Sequence, residues 1–456
     1  MQRKILSRLI KILAFLMISA FLFISCSETD PVMKDIRRQD KLIVLTLNSQ
    51  TTYYLGADNE PAGFEYDLTK ALADSLNVEV EYKVLDNIED LLNAINTGEG
   101  HIAAAGLTRT DTREQKYIFG PDYKAVQQQV VCHRQSILPN DTSELINRSI
   151  LVVADSSYEE ALQEQQQDYP ELKWETTSEL SAEQILEKLV SKEVDCTIVD
   201  SSVFSLNHRY YPDLKEAFPF SEEQSLAWVL PPDSAAFKQY INDWFEKTES
   251  NSALNIIDER YYGYVDMFDF YNNHIYLKRI KSRLQEYGSA FREVAKQYQI
   301  PWTLLAAQSY QESHWNPEAL SHTGVRGLMM LTEATAKAIG IKKRTDPHQS
   351  IKGGAKYLNQ MLKKVPEDVA AEDRIWFALA AYNIGFAHLL DARKLASELG
   401  KNPSTWLDVK EVFPLLSQKK YYKNLKYGYA RGMEPVRYID GIRYYQDVLV
   451  NSLQSA

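Results

Sequence analysis

The chain is 456 residues long, 45% of them apolar and 25% charged, with a mean hydropathy of −0.37. That is ordinary globular material, enough for two or three cores at ~150 residues per domain, and it excludes both a disordered polypeptide and a small disulfide-stapled one. Asp and Glu outnumber Lys and Arg by 62 to 51, so the net charge is −11 and no overall basic field draws the chain to nucleic acid.

The first 25 residues read as an export signal, with Arg3, Lys4, Arg8 and Lys11 ahead of an apolar run from Ile12 to Ile24. That run is marginal for crossing about 30 Å of hydrocarbon. It ends at Ser25-Cys26-Ser27, which resembles the lipobox of bacterial lipoproteins, with Phe23 where that motif usually has Leu. The resemblance implies a signal peptide over 1–25 and a linker over 26–39 behind a lipidated Cys26. The body would then face the periplasm from the inner leaflet of the outer membrane. Cleavage nearby and an uncleaved anchor are the alternatives.

From Lys41 onward, strands and short helices alternate. Leu42–Leu47 predicts a buried strand, Phe64–Leu76 a helix with Leu68, Leu72 and Leu76 at intervals of four, Val78–Val84 a strand, and Ile88–Ile95 a helix stopping at Gly98. Further strand-like runs are 102–107, 125–132, 149–154 and 194–199, the last preceded by a helix over 182–190. The acidic, Gln-rich stretch Glu159–Asp168 reads as solvated helix surface. The alternation predicts a two-lobed α/β domain over 40–268. Cys132 and Cys196 both fall in strand-like runs, consistent equally with a disulfide and with two buried thiols. Neither has partners at a metal-ligand spacing, so no metal and no other cofactor is expected.

Beyond Tyr271 helical periods take over, at 277–287, 290–298, 303–313, 334–339, 351–364, 374–381 and 387–399. Pro301 suits a helix start, and Gly340 and Gly400 suit helix stops. These predict an α-dominated domain over 269–456. Along one face of the helix 303–313 lie Leu305, Ser309 and Glu312, so Glu312 ends an apolar stripe. A carboxyl there is partly desolvated, which raises its pKa and suits it to act as an acid near neutral pH. A plain carboxylate at a helix end is the alternative reading.

Two stretches resemble known families. Pro61-x-Gly63-Phe64-x-x-Asp67-Leu68, then Gly106-Leu107-Thr108-x-Thr110-x-x-Arg113, then Phe119 and Pro121, resemble the periplasmic solute-binding proteins for amino acids. The resemblance implies a two-lobed periplasmic-binding-protein-like fold. It also implies that Arg113 grips a ligand carboxylate with its planar donor fork, that Thr108 helps hold it, and that Asp200 takes the ammonium group of an amino acid or muropeptide. A solvated turn arginine and a helix-capping aspartate are the alternatives. Fused to an enzyme, such a domain would act as a sensor or a tether.

The second resemblance lies in Gln311-Glu312-Ser313-His314-Trp315-Asn316-Pro317-Glu318-Ala319-Leu320-Ser321 and Gly324-Val325-Arg326-Gly327-Leu328-Met329-Met330. With Ala380-Ala381-Tyr382-Asn383-Ile384-Gly385 and Tyr438, these resemble the lytic transglycosylases related to goose-type lysozyme, with Met330 where many of them have Gln. A lysozyme-like fold is implied, as is cleavage of the MurNAc-GlcNAc β-1,4 bond of peptidoglycan with 1,6-anhydromuramoyl ends. Most glycosidases need two carboxylates, but Glu318 and Glu333 match no motif position and this family works with one. The resemblance gives Glu312 the role of acid and then base. Ser321 would bond near the substrate's N-acetyl group, and Tyr382 would face Glu312 across the cleft. Met329 and Met330 would line sugar subsites, with ordinary core methionines as the equal alternative; at the same substrate site Asn383 would stitch helix ends and Tyr438 would pack or hydrogen-bond around the catalytic helix. The implied partners are glycan strands, with no nucleic acid. The alternative is a non-enzymatic receptor that binds amino acids or peptides and docks on murein, in which Arg113 and Asp200 matter and Glu312 does not.

Overall fold

A computed structural model describes residues 30–56, 60–265, 270–321 and 324–454. The expected signal segment and Cys26 lie outside the described residues. Among those described, no helix is long and apolar enough to cross a membrane.

The first half is organised by one six-stranded sheet. Its strands follow in the order Glu79–Leu85, Lys41–Leu47, Ile102–Ala103, Leu214–Leu230, Ile118–His133 and Cys196–Asp200. The first three are parallel and the remaining pairings antiparallel. The two long strands run through both lobes, whose cores are separate. One core packs Leu42, Phe64, Leu68, Trp228 and Phe237, the other Val130, Ile150, Val152, Leu162 and Ile198. Between Pro219 and Glu223 the register of the long pair slips, bending the sheet where the lobes join. Cys132 and Cys196 face each other on neighbouring strands of the second lobe and are joined as a disulfide.

The expected linker over 26–39 is in fact structured from Asp30. A helix spans Pro31–Gln39, and Asp30 accepts from the N–H groups of Val32 and Met33 at 2.9 and 3.1 Å. Its second oxygen accepts from Ala236 and Phe237 at 2.6 and 3.0 Å, while Val32 and Ile36 enter the first-lobe core. The apolar stripe is only two residues wide and sits among Lys34, Asp35, Arg37 and Arg38, which conceals it in the sequence.

The second half is helical. The expected boundary at 268–269 falls in residues 266–269, outside the described residues. The helix expected over 277–287 is interrupted, giving Phe270–Ile280 and Arg283–Tyr298. At the centre lies Trp302–Ser313, buried at every residue from Leu304 to Tyr310. The helices Arg283–Tyr298 and Met433–Gln454 pack directly on it, and Arg374–Ile384 packs between Met433–Gln454 and Pro347–Lys364.

Met433–Gln454 also joins the two halves. Arg443 donates to the Glu259 carboxylate at 3.0 Å and to the carbonyls of Glu259 and Arg260 at 2.8 and 2.7 Å. Lys410 bridges Glu259 and Asp440 at 2.8 and 3.1 Å. Asp447 pairs with Arg209 of the second lobe at 2.8 Å and accepts a hydrogen bond from Tyr264. Beyond it, Asn451 and Gln454 reach the cleft between the lobes.

Candidate active site and ligand cleft

Glu312 sits in the last turn of the central helix, which ends because His314 and Trp315 turn left-handed at φ 53° and 54°. That costly turn is held by Trp315, which is buried and donates its Nε1–H to the Ala306 carbonyl at 2.9 Å. The loop that follows is tied back to the same helix. Ser309 and Ser313 both donate to the Leu328 carbonyl, at 3.1 and 2.9 Å. Gly327 is required there: its φ is 84°, and a Cβ would lie 1.9 Å from the Arg344 carbonyl oxygen.

Glu312 is half-buried, with its carboxyl set among surrounding protein atoms. Burial pushes its pKa up to about 8, opposed by a hydrogen bond from Tyr438. Tyr438 donates to Oε1 at 2.6 Å, and Gln308 Nε2 donates to the Tyr438 oxygen at 3.0 Å. Because a phenol has one proton, the Gln308 contact leaves that proton for Glu312. Gln308 was not anticipated, since an amide inside an apolar stripe looks like a pattern defect. Tyr382 is not the residue bonded to Glu312; it donates to the Met329 carbonyl at 2.9 Å, yet lies close enough for the Glu312 charge to add to the effect of burial in raising its phenol.

Of the residues expected to contact sugar, the structure separates inner from outer. Met329 is buried and packs against Gly354, so its side chain is core and cannot form a subsite wall, a correction to the expectation. Tyr438 is 5% exposed and reaches Glu312 rather than a groove surface. Met330 is partly exposed, Asn383 is exposed one residue before its helix ends, and Ser321 is partly exposed. The Ser321 hydroxyl accepts from the Val325 N–H at 3.2 Å. Glu333 projects into solvent at 91% side-chain exposure and Glu318 is exposed as well. Among the described residues, no second carboxylate contributes to the Glu312 shift.

The cleft between the lobes holds a cavity of about 750 Å³, lined by Ser49, Thr108, Arg113, Tyr158, Glu183 and Asp200 among others. Asp200 is 3% exposed, accepts from Tyr158 at 3.1 Å, and keeps its Oδ1 without a partner among the described residues. Burial raises its pKa to about 7, against the hydrogen bond from Tyr158 and the positive charge of Arg113. Thr108 accepts from the Ser157 hydroxyl at 3.1 Å, across the lobes. Arg113 is engaged by the opposite lobe: its Nε donates to Glu160 at 2.7 Å and its Nη2 to the Asp155 carbonyl at 2.8 Å. Thr110 donates to the other Glu160 oxygen at 2.7 Å. Glu160, read from sequence as solvated surface, therefore faces the opposite lobe, from the first turn of a helix capped by Ser156.

The halves match two different families. Residues 42–264 match the bacterial extracellular solute-binding proteins, family 3, and residues 289–404 match the transglycosylase SLT domain. The protein is thus a transglycosylase carrying a solute-binding domain. Over nearly its whole length it resembles the membrane-bound lytic murein transglycosylase F of Stutzerimonas stutzeri, at 43% identity across 95% of this chain and 90% of that one. The Shewanella sediminis protein of the same name is 42% identical across 96% and 92%, and that of Maricaulis maris 41% across 96% and 97%. The chain belongs to the membrane-bound lytic murein transglycosylase F family. Among solved structures, an ancestral arginine-binding protein bound to arginine is 21% identical with a TM-score of 0.46, covering 49% of this chain and 99% of that one.

Proposed function

We propose that the protein cleaves the MurNAc-GlcNAc β-1,4 bond of peptidoglycan by intramolecular attack, leaving 1,6-anhydromuramoyl ends. The observation that carries this is a single buried carboxyl, Glu312, with a pKa of about 8 and a phenol bonded to it. Protonated at neutral pH, Glu312 gives its proton to the glycosidic oxygen as the C1–O bond breaks. The substrate's C2 acetamido oxygen stabilises the electron-poor C1, with Ser321 bonding near that group. Glu312, now a carboxylate, takes the proton of the C6 hydroxyl while O6 bonds to C1. The ring closes and Glu312 ends the cycle protonated. Intramolecular attack supplies the nucleophile at high effective concentration, so no second carboxylate is needed to activate water. Tyr438 holds the carboxyl in place, Tyr382 faces it, and Met330 and Asn383 supply exposed groove surface.

The cleft domain takes an amino acid or a muropeptide and acts as a sensor or tether. Asp200 receives the ammonium group on its free oxygen, and the ligand carboxylate replaces Glu160 on Arg113, with Thr108 beside it. The protein works on the periplasmic face of the outer membrane, held there by a lipid on Cys26.

The test is digestion of purified peptidoglycan by the chain and by its Glu312→Gln variant, with sugar ends identified by mass spectrometry. Products about 18 Da lighter than reducing-end muropeptides, one water less, are expected only with Glu312. Reducing ends would show that water attacks. No products from either folded protein would favour a receptor that docks on murein.

A further inference from the structure

We propose that the segment Gln418–Met433 is a docking strip for the carboxylate-bearing peptide stems of the glycan strand, beside the bond that Glu312 cuts. This rests on the peptidoglycan reading above and deepens it. In a chain of net charge −11, these residues include Lys419, Lys420, Lys423, Lys426 and Arg431 and no acidic residue. All five cations are exposed. Among the described residues only Arg431 has an ion-pair partner, Glu434 at 3.1 Å, and the four lysines pair with no carboxylate.

Charge alone would describe a solvated face, but apolar groups stand out among the lysines. Tyr427 and Tyr429 are 42% and 56% exposed, and Met433 is 42% exposed. The rings are braced: Lys426 Nζ lies 5.2 Å from the Tyr427 centroid, and Tyr429 meets Tyr422 edge-on at 5.7 Å. The backbone below them is fixed as well. Asp391, 2% exposed, accepts from the N–H groups of Lys426 and Tyr427 at 3.2 and 2.8 Å, and the Ala430 N–H bonds the Leu416 carbonyl at 3.1 Å. Burying a carboxylate is costly unless it is bonded, and these bonds leave a platform already shaped before any ligand arrives.

Location favours the stems over other anions. The strip runs straight into the terminal helix, and Met433 lies five residues, ~7.5 Å of helix rise, ahead of the Tyr438 that holds Glu312. Stems hang from the muramic sugar, next to the bond that is cut, and carry free carboxylates. Exposed ammonium groups attract them in a salt-sensitive way, while tyrosine faces cover sugar or peptide planes. An anionic lipid surface would call for the same charge but not for a strip that leads into the helix carrying Tyr438.

The experiment is co-sedimentation of the full chain in detergent, carrying Glu312→Gln so that strands are bound and not cut. The ligand is insoluble murein before and after its carboxylates are converted to methylamides. Adding Lys420→Gln, Lys423→Gln and Lys426→Gln raises Kd for native murein about tenfold. On amidated murein the two proteins bind alike. The proposal is overturned if the triple variant binds native murein as tightly as its parent, or if its loss persists on amidated murein. It is equally overturned if the loss appears on vesicles of anionic phospholipid and not on murein. An unchanged Tm shows that the triple variant is folded. Failure of the underlying reading is visible separately, as an absence of anhydro ends when the Glu312 chain digests the same murein.

Discussion

Two influences meet at Glu312, burial that raises its pKa and the Tyr438 hydrogen bond that lowers it. Activity needs the protonated form, so kcat/KM should hold below about pH 8 and fall as pH rises through that value. Tyr438→Phe removes the lowering influence. The fall then moves to higher pH, and kcat drops ~10–100-fold because the carboxyl loses its brace, both read from a pH-rate profile on murein. Stability falls in the same direction but from a lower pH. The folded pKa stands above the unfolded value of 4.5, so the stability this group permits is full below pH 4.5 and is lost as pH rises toward about 8. Glu312→Gln cannot ionise. It should match the parent at pH 4 and exceed it at pH 7 by on the order of 1–3 kcal/mol, measured by denaturant unfolding at the two pH values. Glu312 was legible because an apolar stripe and a motif agree on it. The division of work between Tyr382 and Tyr438 was not, since which phenol reaches the acid depends on how two distant helices cross. Glu160 was hidden for a related reason: helical period places it on a polar face, and only the opposite lobe shows that this face is covered.

Among the elements, the Gly324–Met330 loop owes its shape to one position. Gly327→Ala would place a methyl against the Arg344 carbonyl at a backbone angle that favours glycine. A loss of ~2–4 kcal/mol in unfolding free energy is expected, with a fall in kcat as Ser321 and Met330 shift, checked by denaturation and by product release. Most strands and helices of both domains follow directly from apolar periodicity; Phe64–Leu76 and Ala182–Val190 agree to the residue. The terminal helix does not. Asp440 and Arg443 lie on its buried side at 4% exposure each, 3.9 Å apart, and partners far away in the chain, Lys410 and Glu259, complete the pairing that makes that burial tolerable. No local period can report a charge neutralised from far along the chain, in the case of Glu259 from the other domain.

At the scale of the molecule, the same helix makes the two halves one body. Arg209 is 7% exposed and pairs with Asp447 at 2.8 Å. Asp447→Ala leaves that guanidinium buried beside tyrosine rings, at a cost of ~3 kcal/mol to the joint between the halves. Calorimetry should show the parent melting in one transition and the variant in two, the earlier one belonging to the solute-binding half. The helix also sets the order in which the enzyme becomes active during its own synthesis. A ribosome finishes Glu312 and the Ser321 loop well before it reaches Met433. A chain halted or clipped in between carries the acid, but neither the phenol that aims it nor the arginine and aspartate that dock the two halves. Without that helix the acid is unarmed, and cutting needs the scaffold around it to be complete.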